Sequence, residues 1–218
     1  MARIHEFCAM QILVIAATKT EIEPFMVDNK GFEILITGVG VPLTMYHLQK
    51  RLHLDKPDLV IQAGIAGAFS GDMGLGNTVL VKQDTFADIG MEEREKFTGI
   101  FQSGFADKDA FPFNDGWLIN SNTIFTRSML PAVKAITINK VSDSVLQKEQ
   151  AITNFAPDIE SMEGAAMHYV CMQEQVPFIQ IRSISNLVGE RDKTKWKLKE
   201  SITNLNLELY KLVDTIVN

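Results

Sequence analysis

The chain has few cysteines, no long apolar run and no excess of positive charge. Its two cysteines, Cys8 and Cys171, are too few for a disulfide framework and lack the spacing of a zinc site. No apolar stretch reaches the roughly 18 residues of a membrane-spanning helix, and no basic segment followed by an apolar one marks a secretory signal. The net charge of −6 disfavours nucleic acid, because phosphate binding needs a basic face. These absences predict a cytoplasmic protein with neither a membrane nor a nucleic-acid partner.

The remaining composition is that of an ordinary globular protein. Hydrophobic residues make up 46% of the 218 positions and charged residues 22%, so one domain with a substantial core is expected. We expect that domain to span residues 10–218. Residues 1–9 are polar and irregular up to the first apolar run, which predicts a disordered leader or a start-site artefact.

Apolar runs alternate with helix-like segments along the chain. Continuous apolar runs suit strands that are buried on both faces. Strands are predicted at 12–17, 32–36, 58–63, 78–82, 135–141, 159–162 and 176–184. Helices are predicted at 42–54, 145–155, 164–174 and 195–217, and Thr20 with Glu23 forms a capping pattern for an earlier helix. This alternation predicts a three-layer α/β/α sandwich.

Two further segments are predicted to be irregular. Residues 64–68 are small and follow a strand, which predicts a loop. Residues 83–120 are predicted to form a long excursion with short strands, typical of a functional or mobile region. Gly38-x-Gly40 and Gly64-x-x-Gly67 both follow strands, but neither matches the dinucleotide fingerprint or a P-loop. Tight turns and ligand loops therefore stay as alternative interpretations of these glycines.

The segment from Glu160 to Ala166 carries the strongest functional signal. It places two acids and a glycine immediately before a helix-forming stretch. An unpaired charge in a core costs several kcal/mol, so an acid here is expected to face a cleft. Ser185 and Asn186 follow another apolar run in the same way. Polar residues at the ends of two strands are typical of a small-ligand pocket in an α/β sheet.

Five segments together resemble the nucleoside phosphorylase and nucleosidase superfamily. They are Thr18-Lys19-Thr20-Glu21, Thr37-Gly38-Val39-Gly40, Gly64-Ile65-Ala66-Gly67, Ser161-Met162-Glu163-Gly164-Ala165-Ala166 and Arg182-Ser183-Ile184-Ser185-Asn186. Their order and spacing extend the resemblance over nearly the whole chain from Met10. The resemblance implies a central mixed, partly barrel-like sheet, a homodimer, a purine nucleoside as small-molecule partner, and neither a cofactor nor a metal.

The resemblance also implies roles for individual residues. Glu163 matches the acid that binds the ribose hydroxyls, and Met162 matches the methionine that packs against the ribose. Glu21 lies at the position of the carboxylate that activates water. Further substrate contacts are implied at the positions Val141, Ser142, Ile65, Ala66, Gly67 and Phe86. The alternatives are structural: a solvated first-turn helix acid for Glu21, a helix N-terminal acid favoured by the helix dipole for Glu163, and a core methionine for Met162.

Two departures from the family pattern discriminate between its activities. Asn186 stands where adenine-specific nucleosidases carry an aspartate that protonates the base. Asparagine cannot act as a general acid, but its amide can donate one hydrogen bond and accept another at the O6 and N7 edge of a 6-oxopurine. Gln62 and Ile65 stand where the phosphorylases carry an arginine and a serine that bind phosphate. Water is therefore the favoured nucleophile.

Within the superfamily, the chain most resembles futalosine hydrolases. Residues 86–92 and 185–196 are similar to the corresponding segments of those enzymes. The predicted reaction is hydrolysis of the N-glycosidic bond of a 6-oxopurine nucleoside, most of all futalosine to hypoxanthine plus dehypoxanthine futalosine in menaquinone biosynthesis. Candidate contacts to the 5′ arm are Phe86, Phe111, Arg191 and Trp196. The alternatives are a methylthioadenosine/adenosylhomocysteine nucleosidase, a purine nucleoside phosphorylase and a noncatalytic nucleoside-binding protein.

Overall fold

The computed structural model describes residues 10–28, 31–123 and 128–217. The predicted leader at residues 1–9 lies outside the described residues. The strands in the described part are β1 Ile12–Ala16, β2 Glu33–Ile36, β3 Leu59–Ala68, β4 Thr78–Asp84, β5 Gly90–Glu93, β6 Lys96–Gly99, β7 Leu118–Ile119, β8 Ala132–Thr137, β9 Ile159–Ser161 and β10 Phe178–Leu187. The α-helices there are α1 Lys19–Val27, α2 Val41–Leu52, α3 Val145–Phe155, α4 Gly164–Glu174 and α5 Leu198–Val217.

Five strands of the main sheet, one of which is β3, close into a barrel. Strand β3 pairs with β10 in parallel, and β10 pairs with β4 in antiparallel orientation. Strand β4 then pairs with β8, and β8 with β9, both in parallel. Strand β9 returns to the end of β3 and pairs with it antiparallel, which closes the ring. Strands β1 and β2 extend the sheet from β3. The sheet is therefore mixed and partly barrel-like, as predicted.

Helices cover the sheet on both faces and form the outer layers of the sandwich. Helices α1 and α5 enclose one apolar cluster with β1 and β3, while α2 and α4 enclose a second on the opposite face. Helix α5 contributes Leu205, Leu209, Leu212 and Ile216 at helical spacing, all of them buried. Each such side chain contributes roughly 1.5–3 kcal/mol when it leaves water. The predicted three-layer α/β/α architecture is confirmed.

The predicted loop at residues 64–68 is wrong, because β3 continues through it to Ala68. These small residues pair with β10 along one edge and with β9 at the end of the other. Glycine or alanine occupies four of these five positions, so the sequence looks like a loop. Strand β10 likewise runs on to Leu187 and includes Asn186, whereas β8 already ends at Thr137, before Val141.

The first helix begins two residues earlier than predicted. Its N-cap is Thr18, and the Glu21 side chain returns to the Thr18 backbone. The predicted pair Thr20 and Glu23 has the same spacing, so the sequence offers two caps and the structure uses the first. Across the described residues, no helix is both long and apolar enough to cross a membrane.

Candidate active site

A cavity of about 460 Å³ opens where several strands end. It lies at the carboxyl ends of β1, β3, β9 and β10, the edge at which α/β sheets bind ligands. Its volume falls in the range of small-molecule sites, roughly 300–1,000 Å³. Eight of the ten predicted site residues line it: Glu21, Ile65, Ala66, Gly67, Val141, Met162, Glu163 and Asn186.

The other two predicted site residues lie elsewhere. Ser142 lines an adjoining cavity of about 360 Å³. Phe86 lines neither cavity and packs against Tyr169, with ring centroids 6.2 Å apart. Among the candidates for the 5′ arm, Arg191 and Trp196 line the larger cavity, while Phe111 is 67% exposed and outside it.

Glu21 lies in the first turn of α1, and three hydrogen-bond donors fix its carboxylate. The backbone N–H and the hydroxyl of Thr18 both donate to Oε2, each at 2.9 Å, and the N–H of Ile65 donates to Oε1 at 3.2 Å. The side chain is buried. Burial raises the pKa of Glu21, against the opposing effects of Arg182 and the Thr18 hydrogen bond. A carboxylate held this firmly, with a raised pKa, is suited to accept a proton.

Glu163 lies at the N-termini of two helices. It is the N-cap residue of α4, and its Oε1 accepts a hydrogen bond from the N–H of Gly40, the N-cap of α2, at 3.1 Å. Both helix dipoles therefore favour a negative charge here. Its Oε2 accepts from Nη1 of Arg182 at 3.3 Å. Two of the four lone-pair positions of the carboxylate are used, and the others can accept from a ligand.

Arg182 is the cation that sequence reasoning missed. It lies on β10 with its side chain 1% exposed, and it is the single buried Lys or Arg among the described residues. Removing either partner of a buried ion pair costs ~3–5 kcal/mol. A charged residue within the apolar run 176–184 was the available signal, since such a residue needs a partner. We call Glu21, Glu163 and Arg182 the guanidinium end of the cavity.

Arg182 forms an ion pair with Glu163, and its charge also acts on two further buried carboxylates, Glu21 and Asp84. Besides the two acids of the guanidinium end, Asp84 is fully buried and does not line the cavity. Its Oδ1 accepts hydrogen bonds from the N–H of Thr85 at 2.8 Å and the hydroxyl of Thr137 at 2.9 Å. Burial raises the pKa of Asp84 to about 7 although Thr137 and Arg182 oppose it. The Thr137 oxygen in turn accepts from the N–H of Ala165 at 2.7 Å, so this network fixes the start of α4.

Gly64 leaves the space in which the side chains of Glu21 and Arg182 approach each other. A Cβ at this position would lie 2.3 Å from Nη1 of Arg182 and 3.1 Å from Oε1 of Glu21. The first distance is far below van der Waals contact, so any side chain would displace the guanidinium. The glycine of β3 is therefore required by the site rather than by a turn.

Asn186 lines the same cavity from β10. Its Oδ1 accepts from the hydroxyl of Ser185 at 2.8 Å, and its Nδ2 donates to the carbonyl of Leu187 at 3.0 Å. Glu160, to which sequence reasoning assigns no role, lines both this cavity and the adjoining one. Burial raises the pKa of Glu160 to about 7, against Lys148 and Arg191. We call Glu160, Ser185 and Asn186 the amide end of the cavity.

The chain is similar in sequence to one protein superfamily and to several enzymes of known name. The model of the phosphorylase superfamily matches residues 25–218. Futalosine hydrolase of Thermus thermophilus is 26% identical over 207 residues, which cover 88% of this chain and 91% of the relative. A 5′-methylthioadenosine/S-adenosylhomocysteine nucleosidase of Aeromonas salmonicida is 27% identical over 168 residues, which cover 73% and 71%.

Solved structures give the same fold. The native structure of futalosine hydrolase of Helicobacter pylori superimposes with a TM-score of 0.79 at 18% identity, covering 94% of this chain and 98% of that one. A 5′-methylthioadenosine/S-adenosylhomocysteine nucleosidase from Neisseria meningitidis gives a TM-score of 0.78 at 16% identity, covering 94% and 98%. At these identities the similarity is one of fold alone.

Proposed function

The chain belongs to the phosphorylase superfamily, and we propose that it is a nucleosidase that hydrolyses the N-glycosidic bond of a 6-oxopurine nucleoside. The observation that carries this proposal is the pair of buried carboxylates, Glu21 and Glu163, that line one cavity together with Asn186. We propose futalosine as the substrate, with hypoxanthine and dehypoxanthine futalosine as products. Relatives named futalosine hydrolase and nucleosidase support the reaction class.

Cleavage of an N-glycosidic bond develops positive charge on the ribose, and the two carboxylates of the guanidinium end can stabilise that charge. In the proposed mechanism, the free lone pairs of Glu163 accept hydrogen bonds from the ribose hydroxyls. Glu21 orients a water molecule toward the anomeric carbon and takes up its proton as the bond forms. The two carboxylates also stabilise the cationic sugar in a site largely withdrawn from water. Met162 provides an apolar surface for the ribose.

An uncharged nucleophile fits this site better than phosphate does. A phosphate dianion would approach Glu21 and Glu163 with Arg182 already paired to Glu163, and like charges repel strongly at short range in a poorly solvated site. Ile65 lines the cavity where a hydroxyl would be needed. Gln62 is buried, and its amide has no hydrogen-bond partner among the described residues. These features support water over phosphate.

Asn186 supports a 6-oxopurine over adenine. Its Oδ1 already accepts from the hydroxyl of Ser185, so Nδ2 is the atom left to contact the base. Both O6 and N7 of hypoxanthine can accept from it, whereas on the same edge of adenine only N7 can. The alternative, a methylthioadenosine/adenosylhomocysteine nucleosidase, is supported by the relatives that carry that name.

The test is base release, followed by chromatography, from futalosine, inosine, methylthioadenosine and adenosylhomocysteine, each with and without phosphate. We expect hypoxanthine from futalosine at a rate independent of phosphate. Adenine release would replace the proposed substrate by the alternative, and release that requires phosphate would identify a phosphorylase. If no substrate releases a base, a noncatalytic nucleoside-binding protein becomes the better interpretation.

A further inference from the structure

Glu160 and Asn186 meet over the same glycine. In the barrel, Gly67 of β3 pairs with Glu160 of β9 on one side and with Asn186 of β10 on the other. A Cβ on Gly67 would lie 3.3 Å from Nδ2 of Asn186 and 3.5 Å from Cγ of Glu160. Both side chains therefore cover the space that the glycine leaves open. This places a carboxyl group beside the amide that faces the leaving base.

The proposed reaction has a chemical requirement that Asn186 cannot meet. When the bond from the anomeric carbon to N9 breaks, its electron pair stays on the purine. A purine departs most easily when a ring nitrogen gains a proton as the bond breaks, and an amide has no acidic proton to give. Glu163 and Glu21 accept hydrogen bonds from the N–H groups of Gly40 and Ile65, and the proposed mechanism uses them for the ribose and the water.

We propose that Glu160 is the proton donor to the leaving purine, a role that rests on the proposed nucleosidase function. The Glu160 carboxyl is half-buried and lines both cavities, so it can reach a ligand that occupies either of them. No donor among the described residues forms a hydrogen bond with it, in contrast to Glu21 and Glu163. Asn186 orients the base, and Glu160 supplies the proton.

The surroundings of Glu160 keep a proton available near neutral pH. Burial raises its pKa to about 7, while Lys148 of α3 and Arg191 after β10 act in the opposite direction. Lys148 donates its ammonium to the carbonyl of Val188 at 3.1 Å. The other charged side chains that line the two cavities are Glu21, Asp88, Glu92, Lys140, Glu163 and Lys193.

Protons and electrons balance across the two acids. The bond from the anomeric carbon to N9 breaks, its electron pair moves to the purine, and Glu160 gives its proton to a purine nitrogen. A water oxygen bonds to the anomeric carbon, and Glu21 receives the proton that the water loses. Both carboxyl groups then return to their starting states by exchange with solvent, so the net reaction is nucleoside plus water to free base plus sugar.

The test compares two leaving groups in the full-length protein. One substrate is the purine nucleoside that the wild type cleaves fastest, and the other is p-nitrophenyl riboside, whose nitrophenolate leaves without a proton. For Glu160→Gln we expect a fall of about 10²-fold or more in kcat/KM on the purine nucleoside and of no more than about threefold on the nitrophenyl riboside. Glu149→Gln, which removes an exposed acid from α3 beside Lys148, is the matched control and should change neither rate.

A pH profile gives a second readout that a structural role would not change. Since the donor must be protonated, wild-type kcat/KM on the purine nucleoside should fall as the pH rises above about 7, and Glu160→Gln should lack this fall. Thermal unfolding verifies that the variant is folded. Adding Asn186→Asp to Glu160→Gln returns an acid to the same place and should restore part of the purine rate.

The failure of this role and the failure of the proposed function are distinguishable. Purine cleavage that Glu160→Gln leaves unchanged, or equal losses on both substrates, would overturn the proton-donor role alone. A wild type that cleaves the nitrophenyl riboside but no purine nucleoside would overturn the proposed function and this role with it. An unchanged alkaline fall in the variant would assign that titration to another group.

Discussion

The two ends of the cavity hold their acids in opposite ways. At the guanidinium end, Glu21 accepts hydrogen bonds from three donors and Glu163 from two, one of them a buried guanidinium. At the amide end, Glu160 has two cations nearby and no hydrogen bond from the described residues. Burial raises the pKa of both acids, but hydrogen bonds to the charged form oppose that rise at Glu21 and none in the described part of the chain opposes it at Glu160. The difference suits one end to receive a proton and the other to release one.

The strongest test of this contrast removes the base at the guanidinium end. Glu21→Gln keeps the shape but cannot accept a proton, so we expect kcat to fall by about 10²–10⁴-fold while a product-like nucleoside still binds. Single-turnover kinetics and calorimetry measure the two quantities. Glu23→Gln, an exposed acid on the same helix, is the control, and turnover that survives Glu21→Gln would exclude Glu21 as the base.

The same residue predicts the acid side of the pH profile. The pKa of Glu21 is raised above its usual 4.5, and the base must be deprotonated to act. Activity should therefore be complete above that raised pKa and be lost as the pH falls through it. An acid limb at or below pH 4.5 would contradict the assignment.

A smaller effect is expected when the ribose contact is weakened. Glu163→Gln loses a charge-assisted hydrogen bond to a sugar hydroxyl, worth ~1.5–3 kcal/mol, or about 10–100-fold in Kd for a ribonucleoside. Free hypoxanthine should bind nearly as before. Binding of inosine and 2′-deoxyinosine to wild type and variant completes a double-mutant cycle, and equal weakening of nucleoside and free base would argue against a diol contact. Thermal unfolding controls for the loss of the pair with Arg182.

At the amide end, Asn186→Asp should change the preference between adenine and hypoxanthine nucleosides more than it changes the overall rate of hydrolysis. The new carboxyl can protonate a base and accept from an exocyclic amino group, so the ratio of adenine to hypoxanthine nucleoside kcat/KM should rise about tenfold or more. Competition between methylthioadenosine and the 6-oxopurine substrate measures that ratio directly. An unaltered ratio would mean that Asn186 does not contact the base.

The smallest predicted effect concerns the cap of α1. Thr18→Val removes one hydroxyl donor to Glu21 but keeps the backbone donor, so stability should fall by ~1 kcal/mol. Because that hydroxyl lowers the pKa of Glu21, the acid limb of the pH profile should move to higher pH. Thr20→Val is the matched control and should leave the melting temperature nearly unchanged; the reverse result would make Thr20 the cap.

The two acids of the guanidinium end could be identified as site candidates from sequence because they lie in short motifs, whereas Arg182 was missed. Glu21 and Glu163 each sit at the start of a helix, and local sequence marks such positions. The exact cap could not be chosen, since Thr18 and Thr20 are each followed by a glutamate three residues on. The N–H of Ile65, which is distant in sequence, donates a hydrogen bond to Glu21, and this bond favours Thr18 as the cap.

The amide end could be predicted only in part, because barrel closure assembles it. Asn186 was visible as a departure from a motif, but its neighbour Glu160 is 26 residues away in sequence. Their proximity depends on β9 and β10 pairing with opposite edges of β3 at Gly67. The family and the fold were predicted correctly, and the site assignments remain predictions for the experiments above.

The two glycines of β3 have a consequence for how such a site can diverge. Gly64 leaves space for the guanidinium end, and Gly67 leaves space for the amide end. The space at each glycine is lost when the glycine itself is substituted. The residues that cover a glycine, in contrast, can be exchanged without moving the backbone. In the proposed mechanism, a different leaving base would therefore call for substitutions at positions 160 and 186, while the strand that carries both glycines and the residues proposed to bind the sugar would stay as they are.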